Sequence, residues 1–415
     1  METFSTIRKH KGLTVDQVTA GFPAAANGGD RPTPDPELMS QSDIDDLVAA
    51  TRALVDEQLD PLSQEIEETD SVPASAVRQL ADLGYFGLTI PQEYGGLGLS
   101  ALAFVSVIVE VGRTHRAYYG LIENNNGMPG DLIARFGTAE QKQRWLPPMA
   151  AGALVTGFCL TEPGAGSDAE SIKTSAKRVD GGFVIDGLKH FVSNAQRSTH
   201  FVVMTKLENE GIGVFMVDRD APGLTVGRRQ AMMGLRGASH NEVILQDCRV
   251  PADALIGNPA DGFRSVTGAL RMARLARGAI AIGTGNRALE LATEYARDRR
   301  QFGQPIGTFQ GVQWLLADSA TELFAAESML LRVAAGVDAG TAKRREPSMV
   351  KLFASEVTAR VVDRALQVLG GAGYTKDLPY ERFYRDARAD RLVEGTSEIQ
   401  RMIIAKSLLR DVGLR

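Results

Sequence analysis

The sequence predicts a mostly α-helical protein with one central β domain, and three features of the 415-residue chain predict it. Apolar residues recur at helical spacing from about residue 42 to 154. The period shortens to that of strands between 155 and 265, then lengthens again from 266 almost to the end. This order of helices, strands and helices differs from the βαβα alternation of a doubly wound nucleotide fold.

The segments follow in order. Residues 1–41 form an arm, with Pro23, Pro32, Pro34, Pro36 and the run Asn27-Gly28-Gly29. Ser42-x-x-Asp45 resembles a capping box opening the first helix, on which Ile44, Leu47, Val48, Leu54 and Val55 share a face. Further helices are expected at 74–83, 101–113 and 139–149. They are separated by Gly84, Gly95-Gly96 and the turn signal Asn124-Asn125-Asn126-Gly127. In the antiparallel β domain, Asp180-Gly181-Gly182 and Asp186-Gly187 read as hairpin turns flanking 183–185. Other strands fall at 201–204, 213–217 and 242–245. The last domain carries helices at 263–299, 309–337, 347–369 and 397–411.

Composition narrows the function. A net charge of −5 argues against a nucleic-acid surface. No uncharged run reaches the roughly 18 residues of a membrane span, so no membrane insertion is expected. Cys159 and Cys248 are the two cysteines, which provide neither a disulfide framework nor a thiolate metal site; no metal is expected. A cytoplasmic location is the default, with an organelle matrix left open by Arg8, Lys9 and Lys11.

Two stretches fit the pattern G-x-G-x-x-A, at 164–169 and 283–288. The second sits in a helical stretch, where close helix packing explains it. The first leads into hairpins and not into a crossover helix, so neither signals a Rossmann fold. What remains at 161–168 is Thr-Glu-Pro-Gly-Ala-Gly-Ser-Asp, which reads either as an ordinary tight loop or as a binding loop whose small residues let backbone amides approach a ligand.

Longer motifs carry a specific resemblance. Phe-Cys-Leu-Thr-Glu-Pro-Gly-Ala-Gly-Ser-Asp at 158–168 and Gln-Val-Leu-Gly-Gly-Ala-Gly-Tyr at 367–374 resemble the two signatures of the acyl-CoA dehydrogenase flavoprotein family. Between and after them come Lys-His-Phe-Val-Ser-Asn at 189–194, Met-Gly-Leu-Arg-Gly at 233–237, Arg299-x-x-Phe302-Gly303 and Glu-Gly-Thr-Ser-Glu-Ile-Gln at 394–400, in family order. The resemblance implies an N-terminal α domain (42–154), an antiparallel β-barrel-like middle domain (155–265) and a C-terminal four-helix bundle (266–415). It implies FAD, an acyl-CoA substrate, an electron-transfer flavoprotein as electron acceptor, and a homotetramer. By motif position, Phe158, Leu160, Thr161, Ser167, Phe191, Val192 and Ser193 cradle the flavin. Arg299, Phe302 and Gln310 meet its nucleotide end across a subunit contact. Gln367, Val368, Leu369, Gly370 and Gly371, with Thr396 and Glu398, complete the cofactor site.

The implied reaction is α,β-desaturation of an acyl-CoA to a trans-2-enoyl-CoA, which requires one carboxylate to take the α-proton. The family places it either in the loop before the last helix or just before Arg274. The latter position holds Ala273, so the catalytic residue is expected to be Glu394. Ser397-x-x-Gln400 reads as a capping box beside it. Ser167, Arg274, Glu394 and Gly395 are the expected substrate contacts. Glu162 and Asp168 read as loop-fixing acceptors and Asp386 and Asp390 as ion-paired acids. Glu123 reads as either a tunnel residue or a solvated loop residue, His240 as structural, and Cys159 as packing.

Several positions depart from the family pattern: Phe191 for the usual Trp, Val393 for a common Tyr, Arg271 for an acid or Asn, and Ala238 and His240 for hydroxyl residues. Tyr118 and Tyr119 are expected at the tunnel end, which points to a short or compact acyl group. Arg271 is expected to pair with a nearby acid, the alternative being that it accommodates a polar or carboxylate-bearing acyl group. The competing readings are an oxygen-using relative, acyl-CoA oxidase or flavin monooxygenase, and a non-catalytic helical scaffold. Glu394 argues against the monooxygenase, and the intact motifs argue against the scaffold.

Overall fold

Helices at both ends enclose a curled central sheet, as the periodicity predicts. The computed structural model describes residues 40–414 apart from Asn209, so the arm lies, up to residue 39, outside the described residues. Helix α1 spans Gln41–Leu54 and is capped by Ser40, whose Oγ accepts from the Asp43 amide at 3.2 Å. The capping box therefore starts two residues before the expected Ser42, because Ser40 is the last residue with extended backbone. Helices α2 (Ser63–Thr69), α3 (Ala74–Asp82) and α4 (Ala101–Val111) follow.

Of the Asn-Asn-Asn-Gly run only Gly127 breaks between two helices; the three asparagines are helical. They close α5 (Arg116–Asn126), which α6 (Met128–Phe136) and α7 (Ala139–Ala150) follow. The turn propensity of asparagine is overridden by tertiary hydrogen bonds. Asn124 Nδ2 donates to the Thr156 carbonyl at 2.7 Å, Asn125 Nδ2 to that of Leu154 at 2.7 Å, and Asn126 Nδ2 to that of Tyr85 at 2.7 Å. Three buried amides thus satisfy carbonyls of the segments they pack against.

The main sheet has seven strands: β1 (Thr156–Cys159), β2 (Ser175–Val179), β3 (Gly182–Ser193), β4 (His200–Leu207), β5 (Gly211–Asp218), β6 (Leu224–Arg229) and β7 (His240–Pro251). Six lie in the order β1-β4-β2-β3-β7-β6, and β5 pairs with β4. The antiparallel reading is corrected at β4, which runs parallel to both β1 and β2. Turn residues report only on strands adjacent in sequence, and these pairings are not. The hairpin at Gly181, φ 78°, is present. The one at Asp186-Gly187 is not: both residues lie inside β3, at a bulge against β7. Gly187 is needed there because a Cβ would come 2.6 Å from Thr174 Cβ.

The C-terminal domain comprises the long helices α8 (Gly262–Asp298), α9 (Gln310–Asp338) and α10 (Glu346–Leu369), the shorter α11 (Tyr380–Asp390), and α12 (Ser397–Asp411). A small hairpin, β8 (Arg300–Gln301) and β9 (Gln304–Pro305), joins α8 to α9. Among the described residues no helix is long and apolar enough to cross a membrane.

Close packing explains the glycine pattern in α8. Gly283 faces Gly112 and the Val109 carbonyl, and a Cβ on Gly112 would lie 2.6 Å from the Ile280 oxygen. Thr284 Oγ1 donates to the Gly112 carbonyl at 2.8 Å across the same contact. Gly283→Val forces the two backbones apart, with an expected loss of about 3 kcal/mol. A melting temperature equal to wild type would show that the contact tolerates the side chain.

Candidate active site

Glu394 lies in the short loop between α11 and α12, and its backbone occupies the left-handed region at φ 55°, followed by Gly395 at φ 86°. A non-glycine residue there is strained and needs its surroundings to hold it. Three bonds do so. Lys351 Nζ, from α10, donates to the Gly395 carbonyl at 2.7 Å. Gln400 Nε2 donates to the Glu394 and Gly395 carbonyls at 3.1 and 3.0 Å. The expected capping box shifts here too: Thr396 is the N-cap, accepting from the Ile399 amide at 3.3 Å. Ser397, already helical, donates to Glu356.

Arg277 on α8 binds the Glu394 carboxylate. Its Nη2 and Nε both donate to Oε1, at 2.6 and 3.1 Å. Oε2 is buried and has no hydrogen-bond partner. The guanidinium lies 4.8 Å from the Tyr119 ring centre and its Nη1 is 3.5 Å from Asp390 Oδ1. Burial opposes the charge of Arg277, but Glu394, Tyr119 and Asp390 hold it firmly cationic. Asp390 is in turn gripped by Arg116, at 2.6 and 3.2 Å, with both side chains buried.

Other ionisable groups surround this pair. Glu123 belongs to α5 and not to a solvated loop: burial first, then the Glu394 charge, pushes its carboxyl up to about 8, so it is protonated at neutral pH. Burial pushes Lys351 down to about 8 and Arg274 down to about 10. Arg274 Nε is buried without a partner. Burial raises the Tyr119 hydroxyl well above its ordinary range, and it too lacks a partner. Tyr118 is elsewhere: its hydroxyl donates to the Leu59 carbonyl at 3.1 Å inside the N-terminal core, which corrects its assignment to the tunnel end. Neighbours one step apart on a helix point about 100° apart, and this separates the two tyrosines.

Two expected ion pairs are corrected. Asp386 accepts the Leu235 amide at 2.6 Å in place of a cation, and burial raises its carboxyl. Among the described residues Arg271 pairs with no acid and its Nε is an unpartnered buried donor, while Asp131 bonds Arg135 at 3.3 Å.

The loop at 161–168 is fixed from within. Glu162 accepts the Lys173 and Thr174 amides at 2.6 and 3.0 Å and Lys189 Nζ at 2.8 Å. Burial would raise the Glu162 carboxyl, but these donors outweigh it and hold it down to about 2. Asp168 accepts from the Ser171 hydroxyl. Cys159 is buried, its thiol pushed up to about 12, as suits a packing residue. His240 is also buried, which lowers its affinity for a proton.

Three family models cover nearly all of the described chain: the acyl-CoA dehydrogenase N-terminal domain matches residues 41–153, the middle domain 157–248 and the C-terminal domain 260–409. The chain belongs to the acyl-CoA dehydrogenase family. It is 36% identical to the mitochondrial short-chain specific acyl-CoA dehydrogenase of Homo sapiens over 88% of this chain and 90% of that one. Butyryl-CoA dehydrogenase from Megasphaera elsdenii superposes with a TM-score of 0.85 at 29% identity, covering 88% of this chain and 98% of that one. A structure solved in work on the electron transferring flavoprotein of Acidaminococcus fermentans superposes at 0.86, with 31% identity over 91% of this chain and 100% of that one.

Acyl-CoA dehydrogenases are oxidoreductases that act on CH–CH bonds and use FAD. The residues at the expected cofactor positions fit such a group. Gly164, Gly166, Gly370 and Gly371 have open space where a Cβ would project. Phe191 stands in the left-handed region at φ 55° with its ring exposed. Phe158, Leu160, Thr161, Ser193 and Thr396 are half-buried, while Ser167, Gln367 and Glu398 are exposed. Val192, Val368 and Leu369 turn their side chains into apolar cores, which leaves their backbone as the part available to a ligand. Arg299, Phe302 and Gln310 are exposed around the β8–β9 hairpin, far along α8 from Arg277.

Sequence reasoning missed Arg277, Lys351 and the packing of Tyr119 against the Arg277–Glu394 pair. The signal was present: Arg271, Arg274 and Arg277 recur every three residues in a helix otherwise rich in Ala, Leu and Gly. Charges spaced at a turn on a buried helix mark a site more than a surface.

Proposed function

We propose that this acyl-CoA dehydrogenase family member desaturates a short acyl-CoA thioester at its α,β bond, with Glu394 as the base that takes the α-proton. The observation that carries this is the Glu394 carboxylate itself, anchored through Oε1 while the buried Oε2 has no partner. Bound FAD supplies the acceptor for the β-hydride. Phe158, Leu160, Thr161, Phe191 and Ser193, with the backbone of Val192 and of residues 367–371, would hold it, with Thr396 and Glu398 beside it. Arg274, buried with an unpartnered Nε, and Ser167 would receive the thioester arm, and the Glu394 amide would support the developing enolate oxygen.

Arg299, Phe302 and Gln310 would complete a neighbouring subunit's cofactor site in a homotetramer. The exposure of Phe302 at 93% and of Trp314 at 60% supports a covering partner. The electron acceptor would be an electron-transfer flavoprotein.

The short-chain reading draws support from the bulky Tyr119 ring packed against Arg277, the partner of Glu394, and from the human and Megasphaera relatives. Each methylene fitted into an apolar pocket contributes about 0.8 kcal/mol, so kcat/KM should rise only while the pocket holds the chain. Across straight acyl-CoA substrates it is expected to peak at a short chain and fall sharply beyond. A kcat/KM that rises steadily into long chains would contradict the reading.

A further inference from the structure

Arg277 holds the Glu394 carboxylate in a way that selects one oxygen for chemistry. We infer that Arg277 is a positioning residue for proton abstraction: it saturates Oε1 of Glu394 with two N–H donors and leaves Oε2 as the oxygen that takes the α-proton. This deepens the proposed function and rests on Glu394 being the base. In the step, the α C–H bond breaks, the proton passes to Oε2, and the bonding pair delocalises into the thioester carbonyl.

The geometry of Arg277 is determined independently of Glu394. Its guanidinium carbon lies over the Tyr119 ring, 4.8 Å from the ring centre, and Asp390, itself held by Arg116, faces Nη1 at 3.5 Å. A planar guanidinium so fixed presents its donors in one orientation. The Glu394 backbone has its own anchors in Lys351 and Gln400. Removing the Arg277 side chain therefore frees the carboxylate without releasing the loop.

Charge points the same way. Around the Glu394–Arg277 pair are Arg274 from α8, Tyr119 and Glu123 from α5, Lys351 from α10 and, against Arg277, Asp390 from α11. Tyr119 and Glu123 are neutral at neutral pH, Asp390 is engaged by Arg116, and Lys351 is directed to the Gly395 carbonyl. Arg274 makes no hydrogen bond to the carboxylate. Among the described residues, Arg277 is the one cation bonded to it.

The test uses FAD-loaded enzyme, butyryl-CoA as probe, and anaerobic flavin reduction in Arg277→Leu, Arg277→Gln and Arg277→Lys. For Arg277→Leu the limiting reduction rate is expected to fall about 10- to 100-fold, as for a misplaced catalytic group. The apparent affinity for butyryl-CoA should stay within about threefold, because the lost contact is to the base and not to the substrate. Arg277→Lys keeps a charge without the fork and should recover only part of the rate.

An unchanged limiting reduction rate in Arg277→Leu, measured per bound FAD, or a loss matched by an equal loss of butyryl-CoA affinity, would overturn the inference. Should that variant fail to fold, Arg277→Gln and Arg277→Lys face the same criteria. Glu394→Gln separates the two readings. If it reduces flavin normally, the base assignment fails. If it is inert while the Arg277 variants behave as wild type, only the positioning role fails.

Discussion

Glu394→Gln is expected to retain bound FAD and acyl-CoA affinity while losing substrate-driven flavin reduction by about 100-fold or more. The amide keeps the size of the carboxylate and can still accept one bond from Arg277, so the loop, held through Lys351 and Gln400, should keep its backbone. What it cannot do is take a proton. The alternative acids are poorly placed to replace it: Glu123 is protonated at neutral pH, and Asp390 is bound by Arg116 through both oxygens. Single-turnover anaerobic kinetics checks the prediction. A reduction rate near wild type would move the base to another carboxylate.

Asp390→Ala should produce the largest loss of stability. Asp390 is fully buried and bonds Arg116 at 2.6 and 3.2 Å, with Arg277 a further contact at 3.5 Å. Removing it leaves two buried guanidinium groups short of a counter-charge, and Arg116 Nε is already unpartnered. Breaking one side of a buried ion pair costs about 3–5 kcal/mol, far more than the pair is worth over an apolar replacement. The acid also ties α5 to α11, so its loss should loosen the loop that carries Glu394. Denaturant midpoints measured at equal FAD loading test this, and an unchanged midpoint would show that the two arginines find other partners.

The domain order was legible because periodicity survives without knowledge of contacts: α8, α9, α10 and α12 fall within a few residues of the expected helices. The proposed base could be named from sequence because Glu394 sits in a motif while Ala273 occupies the competing position. What depended on distant contacts was misread. The asparagines at 124–126 looked like a turn until their amides met carbonyls of other segments. The parallel pairing of β4 has no local turn to announce it. Tyr118 and Tyr119 are identical in sequence terms and diverge only through the rotation of α5, one into the core and one beneath Arg277. Arg277 was hidden because its spacing from Arg274 was visible but its partner, 117 residues away, was not.

The central claim is that this fold couples Glu394 to a bound flavin as an acyl-CoA dehydrogenase. Anaerobic addition of butyryl-CoA to the purified, FAD-loaded wild-type protein tests it most directly. The account predicts rapid bleaching of the yellow flavin absorbance with formation of the trans-2-enoyl thioester. A flavin that stays oxidised with butyryl-CoA and with every longer, branched or aromatic acyl-CoA would contradict it.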